Sequence, residues 1–254
     1  GILLIVLTAI YILVRCHLQP ELAPALPKEE RGTWPEKLRA LRAVLLPIGV
    51  VIMVLGSIIG GITTPTEAAA MGVLGALISA AVYRQFKWSI LQEAAIRTFK
   101  LTGMIMWILF AAHAFSAAYQ SMGAQDLIEG LMNMIPGGPW GIIVAMMVIV
   151  FLLAMVLDPV GIMLITLPVF MPIVESLGFD PIWFGILFVI NMEIGYMTPP
   201  FGFNLFYLKG VVPPSITMKD IYSSIIPFVI VEIVGLGLIM IFPQIATYLP
   251  DLLF

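Results

Sequence analysis

The sequence predicts an all-α membrane protein, a polytopic helical bundle interrupted by a re-entrant hairpin and a discontinuous helix. Three observations carry the class. Of 254 residues, 61% are hydrophobic and only 11% charged, and the mean hydropathy is +1.09, whereas a soluble domain carries about 25% charged residues. The apolar residues gather in runs near the length, about 20 residues, that a helix needs to cross about 30 Å of hydrocarbon. Runs such as Ile142 to Leu157 are continuous, without the alternation of a membrane barrel, and satisfy their backbone in lipid only as helices. The 12 Lys and Arg and 15 Asp and Glu, net charge -3, are too sparse for a nucleic-acid surface. A single cysteine, Cys16, rules out an internal disulfide, and His17 and His113 are too far apart for a metal motif.

Taken in order, residues 1–15 read as the end of a membrane helix. Gly1 to Val14 is apolar, with neither the basic start nor the cleavage site of a signal peptide, so the chain is expected to be part of something longer. Residues 16–42 form a linker. Together with Arg15 they hold half of the 12 positive residues (Lys28, Arg31, Lys37, Arg39 and Arg42 are the others), which places the linker in the cytoplasm. Thr33-Trp34-Pro35-Glu36 offers a capping box with proline in the first turn. The helix started there is predicted to run through Gly61, kinked at Pro47, with Gly56 and Gly60 spaced for close helix contact. Thr64, Pro65 and Glu67 form a second box, whose helix reaches Tyr83 and completes a pair over 43–83; Glu67 is read as a cap partner, not a ligand. In 84–102, the cations Arg84, Lys87, Arg97 and Lys100 accompany Leu91, Ala94, Ala95 and Phe99 at helical spacing, predicting an interfacial arm helix over 89–102.

Between Leu101 and Leu208 there is no Lys or Arg, so the loops of this stretch belong on the outer side. Leu101 to Tyr119 spans outward to a polar connection, Ser121 to Pro139, that carries Gln125, Asp126 and Glu129. Trp140 to Leu157 and Val160 to Glu175 then meet at Asp158-Pro159, and two complete spans rarely join at a charged, proline-bearing turn. The segment 140–175 therefore reads as a re-entrant hairpin turning near mid-membrane, where protein or a watery cavity must cover the irregular backbone. Asp180-Pro181 restarts a helix that breaks over Gly195 to Gly202 and resumes to Leu208, a broken helix over 181–208 within a region 103–208. Lys209 and Lys219 put the next loop back in the cytoplasm, and Thr217 to Asp220 cap a final helix ending outside near Pro250, all within 209–254.

A hairpin tip and a helix break at similar depth form the arrangement by which secondary transporters bind ions and substrate. Asp158 sits at the tip, where it can meet a cation, cap the returning helix, or do both. Thr198 is the side-chain oxygen at the break, Gly195 and Gly202 permit unusual backbone, and Pro199 and Pro200 remove two donors and so release carbonyls upstream. Asn204, on the second half-helix, can bond either to ligand or across helices. Glu193 and Glu232 lie in apolar runs away from a break in the sequence pattern, which favours interhelical hydrogen bonds or subunit contacts over a proton relay. His113 is read as a packing or hydrogen-bonding residue. An intramembrane enzyme would need a nucleophile with its base or a paired-carboxylate metal site, and no such string occurs.

The strings Gly-Ile-Thr-Thr-Pro-Thr-Glu-Ala-Ala-Ala (61–70), Leu-Asp-Pro (157–159) with Leu-Pro-Val-Phe-Met-Pro (167–172), Leu-Gly-Phe-Asp-Pro-Ile-Trp-Phe-Gly (177–185) and Ile-Gly-Tyr-Met-Thr-Pro-Pro-Phe-Gly-Phe-Asn-Leu-Phe (194–206) occur in order. Together they resemble the large membrane subunit, DctM type, of tripartite ATP-independent periplasmic (TRAP) transporters. The resemblance implies one half of an inverted-repeat elevator transporter, namely the last helix of the first repeat and all of the second. It implies sodium-driven import of an organic acid anion (a C4-dicarboxylate, sialic acid or another sugar acid) across the bacterial or archaeal inner membrane. A periplasmic substrate-binding protein would deliver the anion, and a small four-helix membrane subunit would accompany the large one. No cofactor is implied beyond sodium as coupling ion. By the same resemblance the cation would meet Asp158, Pro159, Gly161, Gly195, Met197, Thr198 and Pro199, and the substrate Thr198, Gly202 and Asn204. A sodium- or proton-coupled carboxylate carrier of similar hairpin architecture that needs no binding protein is the alternative.

Overall fold

The computed structural model describes residues 1–22, 24, 32–123, 130, 134–200 and 202–253. Lys28 and Arg31 of the predicted linker, Gln125, Asp126 and Glu129 of the predicted outer loop, and Phe201 in the break lie outside the described residues. Among the described residues the secondary structure is helical, without a strand. Ten α-helices follow one another: α1 (Ile2–Leu18), α2 (Trp34–Ile59), α3 (Pro65–Val82), α4 (Trp88–Ser121), α5 (Gly138–Ala154), α6 (Pro159–Ser176), α7 (Pro181–Tyr196), α8 (Phe203–Val211), α9 (Met218–Ile241) and α10 (Gln244–Leu253). Five stretches, Trp34–Ile59, Pro65–Val82, Trp88–Phe115, Pro159–Ser176 and Met218–Ile241, are long and apolar enough to cross a membrane. Leu, Ile, Val and Phe crowd the outward faces of these helices, as in Leu55, Val73, Phe99 and Phe110. The chain is a multi-pass, all-α membrane protein.

The chain divides into two compact units, one of Glu21–Leu101 and the other of Gly1–Pro20 with Thr102–Leu252. In the first, α2 packs on α3. Both helices start as their sequences dictate: the Thr33 amide donates to the Glu36 carboxylate at 2.7 Å, and the Thr64 amide to Glu67 at 2.8 Å. Helix α2 continues through Pro47. The connection is tied by the Thr63 hydroxyl, which donates to Ser57 Oγ at 2.8 Å, and by the Ile62 and Thr63 amides, which donate to the Ser57 carbonyl. Gly56 does not make the close helix contact that its spacing predicts, since a Cβ there would meet nothing within 4 Å; at Gly60 a Cβ would meet the carbonyl of Gly56 and the side chain of Ile62. The close approach runs through α3 instead, where Gly72 faces Val54 and Gly75 faces Val50 and Met53.

In the second unit α7 is the central element. Its sequence is apolar apart from Asn191 and Glu193, and Trp183, Phe184, Leu187, Phe188, Ile190, Met192, Ile194 and Tyr196 are all buried. Helices α5, α6, α8 and α9 each pack on it or on one another, and α1 packs on α9. Tyr11 meets Phe228 edge to face at 5.3 Å, while Gly235 takes the side chains of Leu4 and Leu7. These pairings run in opposite directions along the two helices, so α1 and α9 are antiparallel. The indole N–H of Trp183 donates to the Ile239 carbonyl at 2.9 Å, and Glu193, further along α7, lies within electrostatic reach of Glu232, earlier on α9, so α7 is antiparallel to α9 as well.

Two boundaries differ from the sequence reading. The predicted arm (89–102) and span (101–119) are one unbroken helix, α4. No proline lies between Trp88 and Ser121, so nothing in the sequence breaks the helix at the predicted junction, and Arg97 with Glu93 adds an i,i+4 pair at 2.6 Å within the arm. The final helix, predicted to reach about Pro250, stops at Ile241. Pro243 disfavours helical backbone at the residue before it, and α10 starts afresh beyond it.

Candidate functional site

The hairpin is built from α5, a turn over 155–158, and α6. Asp158 adopts extended backbone (φ -72°, ψ 158°) and caps α6: its Oδ1 accepts the amides of Val160 and Gly161, each at 3.1 Å. Pro159 occupies the first helical position, whose amide is unused in any helix. A Cβ at Gly161 would stand 3.0 Å from Asp158 Oδ2, so glycine keeps this carboxylate seated over the helix start. The two outer ends of the hairpin meet in an aromatic cluster. Trp140 lies edge-on to Phe179 (5.2 Å) and Trp183 (5.8 Å), and Phe179 stacks on Trp183 at 5.3 Å.

Helix α7 starts with Asp180 as cap, its Oδ1 accepting the Trp183 amide at 2.8 Å, and ends at Tyr196. Pro199 and Pro200, joined by a cis peptide, supply no amide to the carbonyls four residues back. The Gly195 carbonyl instead takes the Thr198 amide at 3.0 Å, and the Thr198 hydroxyl donates to the Ile194 carbonyl at 2.7 Å. Gly202 starts α8 in left-handed backbone (φ 52°, ψ 64°), a conformation that favours glycine.

The structure brings tip and break together. Gly195 packs directly on the end of α5: a Cβ there would collide with the Cβ of Ala154 and come within 3.2 Å of the Phe151 carbonyl. The carboxylates of Asp158 and Glu193 both lie within electrostatic reach of the Tyr196 hydroxyl. Glu193 is likewise within reach of Glu232 on α9. Glu232 stands 14 residues after the start of α9 (232 against 218) and nine before its end (241 against 232), so the break is level with the middle of that helix. Of the residues singled out, the structure thus sets Gly195 of the break against the end of α5, next to the turn that carries Asp158. Asn204 is turned back across the break, its amide nitrogen donating to Glu193 Oε1 at 3.1 Å.

Two further polar groups lie in the apolar helices around the break, Asn191, which the sequence reading did not single out, and Glu232, which it did. Asn191 is buried on α7 and donates to the Met147 carbonyl of α5 at 2.6 Å, holding the hairpin arm to the broken helix. An asparagine in an apolar run is the only signal for it. Glu232 keeps Oε2 buried with no hydrogen-bond partner among the described residues. Among those residues no group of three His, Cys, Asp or Glu could hold a metal ion.

Comparison with known proteins gives the family. Residues 1–245 match the family described as the tripartite ATP-independent periplasmic transporter, DctM component. The ectoine TRAP transporter large permease TeaC of Halomonas elongata is 32% identical over 255 residues, covering 100% of this chain and 58% of the relative. The C4-dicarboxylate TRAP transporter large permease DctM of Pseudomonas aeruginosa is 31% identical over 251 residues, 98% of this chain and 56% of the relative. The sialic acid TRAP transporter permease SiaT of Haemophilus influenzae is 28% identical over 236 residues, 91% of this chain and 37% of the relative. The chain spans about half the length of the first two of these relatives. With a family match over nearly its whole length, the chain belongs to the DctM component family of TRAP transporters, a family of permeases and not of enzymes.

Proposed function

We propose that this chain supplies the second repeat of a TRAP large permease that imports an organic acid anion across the bacterial or archaeal inner membrane. A periplasmic binding protein delivers the anion, and a small membrane subunit accompanies the permease. Sodium is the coupling ion. The observation that carries the reading is the packing of Gly195 on Ala154, which sets the hairpin tip against the helix break within one unit. In this reading Asp158, Pro159 and Gly161 of the tip and Gly195, Met197, Thr198 and Pro199 of the break hold the cation, since carbonyl and carboxylate oxygens are what a hard cation prefers. Thr198, Gly202 and Asn204 line the approach of the anion, whose charge is favoured by the start of α8. In this reading 140–175 is re-entrant, and hairpin and broken helix move together as an elevator, which their shared core favours. The relatives are named for ectoine, C4-dicarboxylate and sialic acid, so the substrate is proposed as a class.

The test is uptake by the full-length permease with its small subunit in liposomes, with and without binding protein and a sodium gradient. Wild type should need both. Asp158→Asn keeps the capping acceptor, since asparagine caps as well as aspartate, but removes the charge. This variant and Thr198→Ala should each raise the sodium concentration for half-maximal uptake by about tenfold, the scale on which disturbing a metal's surroundings acts. Uptake that ignores sodium would overturn the coupling. Uptake without a binding protein would identify a stand-alone carboxylate carrier.

A further inference from the structure

We propose that Glu193 is a positioning residue that, through Asn204, sets the angle between the two halves of the broken helix. Helix α8 has only nine residues, too few to be stable or oriented by its own hydrogen bonds. The intervening loop holds two prolines and a left-handed glycine, which fix local turns but leave the direction of α8 dependent on longer-range links. The hydrogen bond from Asn204 to Glu193, between side chains 11 residues apart, is such a link: it joins the last turn and a half of α7 to the first turn of α8 directly over the break. A carboxylate acceptor makes it stronger than a bond between neutral groups. Glu193 also lies within electrostatic reach of Glu232, and the donor on Asn204 offsets part of the repulsion between the two carboxylates. Asn204 thereby acts on the geometry of the break and need not touch the substrate.

The inference rests on the sodium-coupled reading for one of its two measurements only. In full-length permease carrying Cys16→Ser, spin labels replace Val189 on α7 and Tyr207 on α8, which are 57% and 77% exposed. Glu193→Ala and Asn204→Ala should each broaden the label-to-label distance distribution. Glu193→Gln, whose amide oxygen still accepts from Asn204, should restore the wild-type width. In uptake, the two alanine variants should raise the half-saturating sodium concentration about tenfold, the factor that a charged hydrogen bond contributes when lost, and the double variant should be no worse than either single. Asn204→Ala keeps the carboxylate, so it carries the test should Glu193→Ala fail to fold. An unchanged distribution in Asn204→Ala, or one as broad in Glu193→Gln as in Glu193→Ala, overturns the proposal. A wild type whose uptake ignores sodium, with the distance results as expected, overturns the sodium reading and leaves the positioning role standing.

Discussion

At Gly195 the absence of a Cβ lets α7 lie against the end of α5. Its backbone is not in the left-handed region, unlike that of Gly202, so space and not conformational freedom requires glycine there. The sequence pattern marked both glycines for backbone freedom, and only the neighbour across the helix pair separates the two reasons. Gly195→Ala should cost about 1–3 kcal/mol, the range for forcing atoms into a packed site, while Gly185→Ala on the same helix, where a Cβ meets nothing within 4 Å, should be near neutral. Thermal unfolding of the purified full-length protein in detergent measures both. Equal melting temperatures for the two variants would refute the close-contact account. Capping residues were legible one by one because a cap is satisfied within three residues of itself: Asp158, Asp180 and Thr217 accept the amides that their spacing assigns to them. Asn204 was legible only as a polar residue near a break, because its partner Glu193 lies across that break.

Helix starts were readable and helix ends less so. A start carries its own chemistry in a cap and a proline, whereas an end needs a positive reason to stop, and α4 meets none between the predicted arm and span. Pro243 is such a reason for α9. Close packing of α2 on α3 needed glycines at helical spacing, which the sequence offers twice, at Gly56 with Gly60 and at Gly72 with Gly75. Which pair is used depends on the rotation of α2 about its axis. For the hairpin, α5 has 17 residues and α6 has 18, about 26 and 27 Å at 1.5 Å per residue, close to the hydrocarbon thickness, so a re-entrant hairpin requires both arms to tilt strongly. In that reading a spin label at Val156, exposed in the turn, should report a depth near the bilayer centre in the full-length protein. A depth at the cytoplasmic headgroups would mean that the hairpin crosses completely.

On the scale of the molecule, charge bias and packing agree. The positive-inside rule places Arg15 and Lys219 on the same side, and the antiparallel packing of α1 on α9 brings the end of one helix beside the start of the other. Lys209 closes the following loop by donating from its ammonium to the Ile216 carbonyl. An impermeant thiol reagent added outside cells should modify a cysteine at Met122, after α4, and should not modify one at Pro213. The reverse labelling would invert the topology and move the cations to the outer side.

Composition alone determined that the chain crosses a membrane as helices, because no other structure satisfies so apolar a backbone in lipid. Local chemistry determined where most helices begin and where the two interruptions fall, at Asp158-Pro159 and at Gly195 to Gly202. Tertiary structure alone decided that these interruptions are neighbours, since the Gly195 contact with Ala154, the Asn191 bond to Met147 and the Asn204 bond to Glu193 join residues 41, 44 and 11 positions apart (195 less 154, 191 less 147, 204 less 193). Helical periodicity reaches only three or four residues along the chain. Which glycine, asparagine or glutamate meets which partner is settled when whole helices choose their rotation and register against one another, and that choice brings the two separate breaks together.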